Sequence, residues 1–343
     1  AKQIIPEADA IIFFPLDLPF VAESMVKRIH PGIFMPVETE LWPNFLRAIR
    51  ERHIPVMMVN GRISEKSVKT YRYLYGIWDD MLSTVSRFCM QSSIDADYIY
   101  SLGADQNKIF VTGNTKFDQT YAEVTQEDYA RYKEELGLEN CYPIIMAGST
   151  HPGEEKALFD AFKKIREKYA DARLVIAPRK TARADEIAKL AASYGYETGY
   201  RSKMLENPAL RKPNPVVLLD TIGELGRIYA VGDVVFVGGS LSKTGGHNVL
   251  EPAAHAKPIV VGPNMQNFKD SYSLLSKVGA CKMVNNTTEL ANEMLDILSN
   301  DERREKMGAA SLQVIKENRG ADIRSIHYLK ELLELTSVPA REY

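Results

Sequence analysis

The sequence predicts an α/β protein built of two parallel-sheet halves, and three observations predict it. Short β-branched and apolar runs alternate with helix-period segments along the chain, the pattern of strands linked by crossover helices. At 343 residues the chain is long enough for two medium domains. A polar stretch over 119–127 breaks the alternation about a third of the way along, and a second series of strands follows it.

In the first series, strands are expected at 11–14, 33–37, 56–60, 87–90 and 109–112. Helical patterns lie between them at 19–30, 41–52, 66–85 and 92–102. A helix at 128–136 follows the polar stretch. The second series has strands at 144–147, 173–177, 216–220, 234–237, 258–261 and 281–284. Its helices are read at 153–169, 182–194, 224–230, 246–256 and 268–277, and the tail over 289–335 is mostly helical. Two Rossmann-like halves result, the first with fewer strands. Ligands of such sheets bind beyond the carboxyl ends of the strands, which places an active site in a cleft between facing halves.

Composition removes several classes. The chain is 45% hydrophobic and 26% charged, with a net charge of −2, so nothing draws it globally to nucleic acid. Cys89, Cys141 and Cys281 are far apart and form no zinc or redox motif, which fits a reducing compartment. No apolar run approaches the ~18 residues of a membrane span, and no signal peptide pattern is present. The chain starts at Ala1, almost directly on the strand 11–14, which suggests a missing N-terminal piece and leaves any anchor outside this sequence.

The chemistry is expected at the strand ends. The richest stretch runs from Gly238 to Pro252, entered by the strand 234–237 and left by the helix 246–256. Its four glycines permit tight turns, and a helix N-terminus suits a phosphate. Asn248 and Glu251 are three apart, so they share one face of the first turn, where a carboxylate can accept sugar hydroxyls. Glu38 and Glu40 follow the strand 33–37 and could position a substrate or act as acid and base. The structural reading of Glu40 is a first-turn carboxylate serving the helix dipole, with Trp42 packed on the sheet. Lys116 follows 109–112 and could offset charge on a leaving phosphate, or be a surface lysine.

Ser149 or Thr150 reads as the cap of the helix 153–169, with Glu154 and Glu155 complementing its dipole. His151, between them, has no nearby Ser or Asp partner that suggests a triad. Pro178-Arg179 ends the strand 173–177, where a guanidinium can grip a phosphate or a base edge. After 216–220, Gly223 allows close backbone approach to a nucleobase, and Thr221 reads as a cap. Asp95 and Asp97 form a D-x-D pair, but within a helix they point about 200° apart and cannot easily share an ion.

Several of these segments together resemble one family. Glu-Thr-Glu-Leu-Trp-Pro-Asn (38–44), Thr-Gly-Asn-Thr-Lys-Phe-Asp (112–118), Gly-Ser-Thr-His-Pro-Gly-Glu-Glu (148–155), Pro-Arg (178–179) and Gly-Gly-His-Asn-Val-Leu-Glu-Pro (245–252) are similar to the 3-deoxy-D-manno-octulosonic acid (Kdo) transferases of Gram-negative lipid A assembly. The likeness runs from about residue 10 to the end, in the family's order and spacing. Each motif is weak alone; together they are specific.

The resemblance implies a GT-B glycosyltransferase fold with two Rossmann-like domains facing a central cleft. Residues 1–122 would form an incomplete acceptor domain and 123–318 a donor domain, with 319–343 packing back on the first. It implies inverting, metal-independent transfer of Kdo from CMP-Kdo to the 6′-hydroxyl of a lipid A precursor, without a cofactor or nucleic acid. The place implied is the cytoplasmic face of the inner membrane. By position, Pro178, Arg179, Ile222, Gly223, Glu224, Asn248, Val249, Leu250 and Glu251 match the family's CMP-binding segments. Glu38 and Lys116 match positions assigned to transition-state stabilisation. The family's general-base glutamate lies upstream of the first motif, in a part this sequence does not include. Two rival readings remain: another GT-B enzyme acting on a UDP-sugar, transferase or epimerase, and a non-catalytic nucleotide-binding fragment.

Overall fold

The computed structural model describes residues 6–71, 77–118 and 124–337. The chain divides into two compact units, one of residues 1–119 with 318–343 and the other of residues 120–317.

The first unit holds a parallel sheet of β1 (Met57–Gly61), β2 (Arg87–Met90) and β3 (Ile109–Val111), in that order. Residues 33–37, expected as a strand, extend it only through two bridges, Phe34 to Val56 and Val37 to Val59. Pro31 and Pro36 supply no N–H to a ladder, which explains the interruption. The strand expected at 11–14 does not form; Phe13 is 99% exposed. The helix expected over 66–85 is two helices, Glu65–Tyr71 and Ile77–Thr84, with 72–76 outside the described residues. Leu46, Ile49, Val56, Met58, Phe88, Met90 and Ile99 form the core.

The last helix, Ala321–Ser337, belongs to this unit. Tyr328 lies on Phe110 with ring centroids 4.1 Å apart, and Arg87 sits over both rings while pairing with Glu331 at 3.1 Å. Asp118 accepts the backbone N–H groups of Gly320 and Asp322, and Arg324 Nε donates to Thr112 O at 2.6 Å. The turn that carries Lys116 is therefore braced from behind by this helix.

The second unit is a seven-stranded, all-parallel sheet. Its strands are β4 (Ile144–Thr150), β5 (Arg173–Pro178), β6 (Thr198–Tyr200), β7 (Val216–Leu218), β8 (Val234–Val237), β9 (Ile259–Val261) and β10 (Cys281–Met283), in the order β10-β9-β8-β4-β5-β7-β6. The strand order runs outward both ways from β4, which makes β4, β5 and β8 the central strands, and loops after them share one edge. β6 and the helix Arg201–Glu206 after it were not foreseen; the strand is three residues long and contains a glycine. Strands buried on both faces read as unbroken apolar runs, as 234–237 does. Ile145, Phe159, Phe162, Leu174, Ile176, Val234 and Phe236 lead the core, each side chain worth roughly 1.5–3 kcal/mol on burial.

Candidate functional site

The stretch after β8 departs from its expected form. Residues 246–249 are not helical; the helix is only Leu250–Ala254. Gly245 and Gly246 have φ of +98° and +78°, which a right-handed helix excludes. Gly238 is needed for close approach: a Cβ there would lie 2.5 Å from Ser149 O, and its N–H donates to Gly148 O at 2.8 Å. The loop thus lies directly on the end of β4.

Glu154 explains why it stays there. Its carboxylate is 2% exposed and accepts backbone N–H groups from Gly239 (2.8 Å), Ser240 (3.0 Å), Leu241 (2.9 Å) and Ser242 (3.2 Å), and from His151 (2.8 Å). By its place in the sequence, Glu154 is expected to complement the dipole of its own helix. The structure makes it the anion that fills the glycine loop, so these N–H groups do not await a phosphate. Glu155, 1% exposed, is held by Arg183 at 2.7 Å and by Thr150 Oγ1 at 2.9 Å. Neither Ser149 nor Thr150 caps the helix. Its cap is Gly153, at φ +94°, with no side-chain bond, because Thr150 has turned to Glu155.

Around this loop the structure gathers the residues expected to bind a nucleotide. Pro178 is buried at the end of β5 and Arg179 is exposed beyond it. Arg179 N donates to Thr150 O at 3.0 Å, so the β5 end is tied to the β4 end. Asn248 folds back on its own turn: Oδ1 accepts Leu250 N at 3.0 Å and Nδ2 donates to Glu251 Oε1 at 3.2 Å. Val249 and Leu250 are buried and anchor the turn, leaving Asn248 and Glu251 as its polar pair. Burial pushes the Glu251 carboxyl up, against the Asn248 bond and the nearby Arg179 charge.

Past β7, Ile222 is 89% exposed and Gly223 has φ +93°, with open space where a Cβ would stand. Glu224 does not point free. Arg201 holds its carboxylate from Nε and Nη2 at 3.1–3.2 Å, and Thr221 Oγ1 donates to it. Thr221 therefore supports Glu224 rather than capping the helix, whose cap is Glu224 itself, with no side-chain bond. Arg201, 2% exposed, also binds Glu135 at 2.6 Å. Sequence reasoning missed Arg201 because it stands on the unforeseen helix after β6.

In the first unit, Glu38 has φ +60°, uncommon for a residue with a Cβ and costing of order 1–3 kcal/mol. Its N–H donates to Val59 O at 2.9 Å. Glu40 stands before the helix Pro43–Arg50 and accepts Trp42 Nε1 at 3.0 Å. The helix N-terminus is served by Asp17 instead, which takes Asn44 N at 3.1 Å and Phe45 N at 2.8 Å. Trp42 is 37% exposed and stacks on Phe14, 5.3 Å away, rather than on the sheet.

Lys116 is half-buried in a 3₁₀ turn. An amide relay that the sequence did not reveal sets that turn. Asn60 Oδ1 accepts Thr115 N at 3.1 Å, Gln91 Nε2 donates to Asn60 O at 3.0 Å, Asn114 Nδ2 donates to Gln91 Oε1 at 2.9 Å, and Asn114 Oδ1 accepts Lys116 N at 2.9 Å. The turn after β3 is thus drawn across β2 to the end of β1. Glu38 N is bonded to Val59 there, and Thr115, next to Lys116, is bonded to the following residue, Asn60. Asp95 is committed elsewhere, taking Ile63 N at 2.9 Å and the Ser92 hydroxyl.

Comparison with known proteins gives this geometry a context. The family profile described as 3-deoxy-D-manno-octulosonic-acid transferase (kdotransferase) matches residues 1–119. The 3-deoxy-D-manno-octulosonic acid transferase of Haemophilus influenzae is 33% identical over 325 residues, covering 94% of this chain and 74% of its own. Among solved structures, the C-terminal CMP-Kdo binding domain of WaaA from Acinetobacter baumannii matches at a TM-score of 0.50 and 29% identity, over 55% of this chain and 96% of that domain. UDP-GlcNAc 2-epimerase from Neisseria meningitidis, bound to UDP-GlcNAc, matches at a TM-score of 0.61 over 96% of this chain and 88% of that one; at 13% identity it shows the fold alone. With its two parallel-sheet units of GT-B type, the chain belongs to the 3-deoxy-D-manno-octulosonic acid (Kdo) transferase family of glycosyltransferases.

Proposed function

We propose that this chain transfers Kdo from CMP-Kdo to the 6′-hydroxyl of a lipid A precursor, with inversion and without a metal, at the cytoplasmic face of the inner membrane. One observation carries the donor half of this reading. Arg179, the Ile222–Gly223–Glu224 loop and the Asn248–Glu251 pair all stand beyond the carboxyl ends of β5, β7 and β8, in one sheet and on one edge. Glu251 offers its carboxylate to the ribose hydroxyls, Arg179 its charge to the phosphate, and the Gly223 backbone its polar groups to the cytosine. Val249 and Leu250 fix the turn from below, and Pro178 fixes the start of the Arg179 loop.

In the reaction, the acceptor oxygen attacks the anomeric carbon as the bond to the CMP phosphate breaks. Negative charge grows on the phosphate, and Arg179 offsets it. Glu38 and Lys116 take the transition-state roles that their motif positions imply. The glycine loop enters this scheme as scaffold, since Glu154 occupies its N–H groups. Exposed Phe13, Leu16 and Phe20 support contact of the first unit with the membrane surface. Among the described residues no helix is long and apolar enough to cross a membrane.

Titration calorimetry with CMP and UMP tests the donor assignment. Tighter binding of CMP is expected, weakened by Arg179→Ala and Glu251→Ala. Preference for UMP or for UDP-sugars sinks it and favours a UDP-sugar enzyme on the same fold.

A further inference from the structure

His151 and His247 make a contact that this scheme leaves unused. Their Nε2 atoms are 2.8 Å apart, and the rings are nearly parallel at 11°, with centroids 5.0 Å apart. His151 follows β4 and His247 follows β8, two strands paired in the centre of the sheet. At this distance one Nε2 carries a hydrogen and the other a lone pair.

The proton count of such a pair is restricted. Two neutral rings carry two N–H groups, one of which lies in the contact. A third proton on the free Nδ1 of the donor ring preserves the contact and brings the pair to +1. A fourth sets two N–H groups against each other. The pair therefore stores one proton and no more.

Its charged neighbours come from three elements. Arg179 faces it from the loop after β5 and acts on both His247 and Glu251. Glu154, in the first turn of the helix Glu154–Lys168, takes His151 N and Gly239 N on the same oxygen, at 2.8 Å each. Glu251, on the helix Leu250–Ala254, also feels the Arg179 charge. Burial, together with the charges of His151 and Arg179, pushes His247 down to about 4, so the His247 ring is neutral at pH 7 while no anion is bound.

We propose that His151 and His247 are a proton-loading pair of the donor site, which takes one proton from solvent when a phosphate monoester settles beside Arg179. The inference rests on the CMP-site reading above. The phosphate offsets the Arg179 charge that helps keep His247 unprotonated. The added proton goes to a ring nitrogen, and no bond to carbon or phosphorus changes. The leaving nucleotide then departs toward a cation that the empty site does not hold.

Calorimetry of the full chain with CMP at pH 7.5, in buffers of different ionisation heat, counts the protons. At that pH the CMP phosphate is already dianionic, its second pKa being about 6, and its own ionisation would release protons rather than take them up. Uptake of about 0.5–1 proton per CMP is expected, with affinity rising by up to about tenfold per unit as pH falls from 8 to 7. Cytidine, lacking the phosphate, gives none. His151→Asn and His247→Asn still bind CMP and lose the uptake, a readout that a merely structural role does not move. CMP binding without uptake, or uptake surviving both substitutions, overturns this proposal and leaves the CMP site standing. Failure to bind CMP overturns both. The parent protein's count decides the matter if a substituted chain does not fold.

Discussion

Replacing Glu154 tests how the second unit is held together. Five backbone N–H groups converge on its carboxylate, three on Oε1 and two on Oε2, all at 2.8–3.2 Å. Glu154→Ala strands those donors inside the protein. Summing five charge-assisted bonds overstates the loss, because the loop relaxes; removal of a buried, fully bonded carboxylate costs about 3–5 kcal/mol. Glu154→Gln keeps the shape. Its oxygen can still serve the three donors on the Oε1 side, but its NH₂ then faces the N–H groups of His151 and Gly239. Two stranded donors at ~1–3 kcal/mol each place this variant about 2–6 kcal/mol below the parent. If Glu154 served only its helix dipole, either change would cost ~0.3–1 kcal/mol. The two accounts are separable by urea unfolding followed by far-UV circular dichroism. Trp42 and Trp78, the only tryptophans in the chain, both lie in the first unit, so tryptophan fluorescence serves as an internal control that should not move. Hydrogen exchange localises the effect, and protection of amides 239–242 should fall sharply. A loss under ~1 kcal/mol with those amides still protected would refute the reasoning.

Three further outcomes are expected. Asn60, at φ +55°, carries the relay to the Lys116 turn, so Asn60→Ala should destabilise the first unit by about 2–3 kcal/mol in fluorescence-detected unfolding, and Asn60→Gly by ~1 kcal/mol less, since glycine accepts the left-handed backbone. The Glu251 carboxyl is raised by burial, so folding favours its protonated form. That contribution is present below the ordinary value of 4.5 and is lost as pH rises through the folded value. Glu251→Gln should therefore raise the melting temperature at pH 7, a gain that vanishes below pH 4.5, while CMP affinity falls. Arg201→Met leaves Glu224 and Glu135 without their shared cation and should cost ~3–5 kcal/mol in urea unfolding, with Glu224→Gln in the same chain recovering part of it.

The alternation of apolar runs with helical patterns was enough to determine an α/β chain with parallel sheets. In a buried parallel strand both faces are apolar, and 144–147, 173–177 and 234–237 show this locally. The motif segments determined the family, since their residue types and order are written in the chain itself. The sequence misjudged elements whose form depends on distant partners. Residues 11–14 have strand composition but join no β-ladder among the described residues. Residues 246–249 have helix-compatible spacing, but Gly246, at φ +78°, bars a helix from starting there.

What only the tertiary structure decided is where each polar group spends its hydrogen bonds. Glu154 sits beside its own helix in sequence, yet its bonds reach residues 239–242, 85 to 88 positions away. Glu224 falls in a segment expected to bind the nucleotide, yet Arg201 and Thr221 claim its carboxylate. His151 lacks a partner in its neighbourhood and finds one 96 residues on. Local propensity encodes which groups a turn presents. The partner of a buried charge is set by which strand ends the sheet order brings together, and that order is a property of the whole chain.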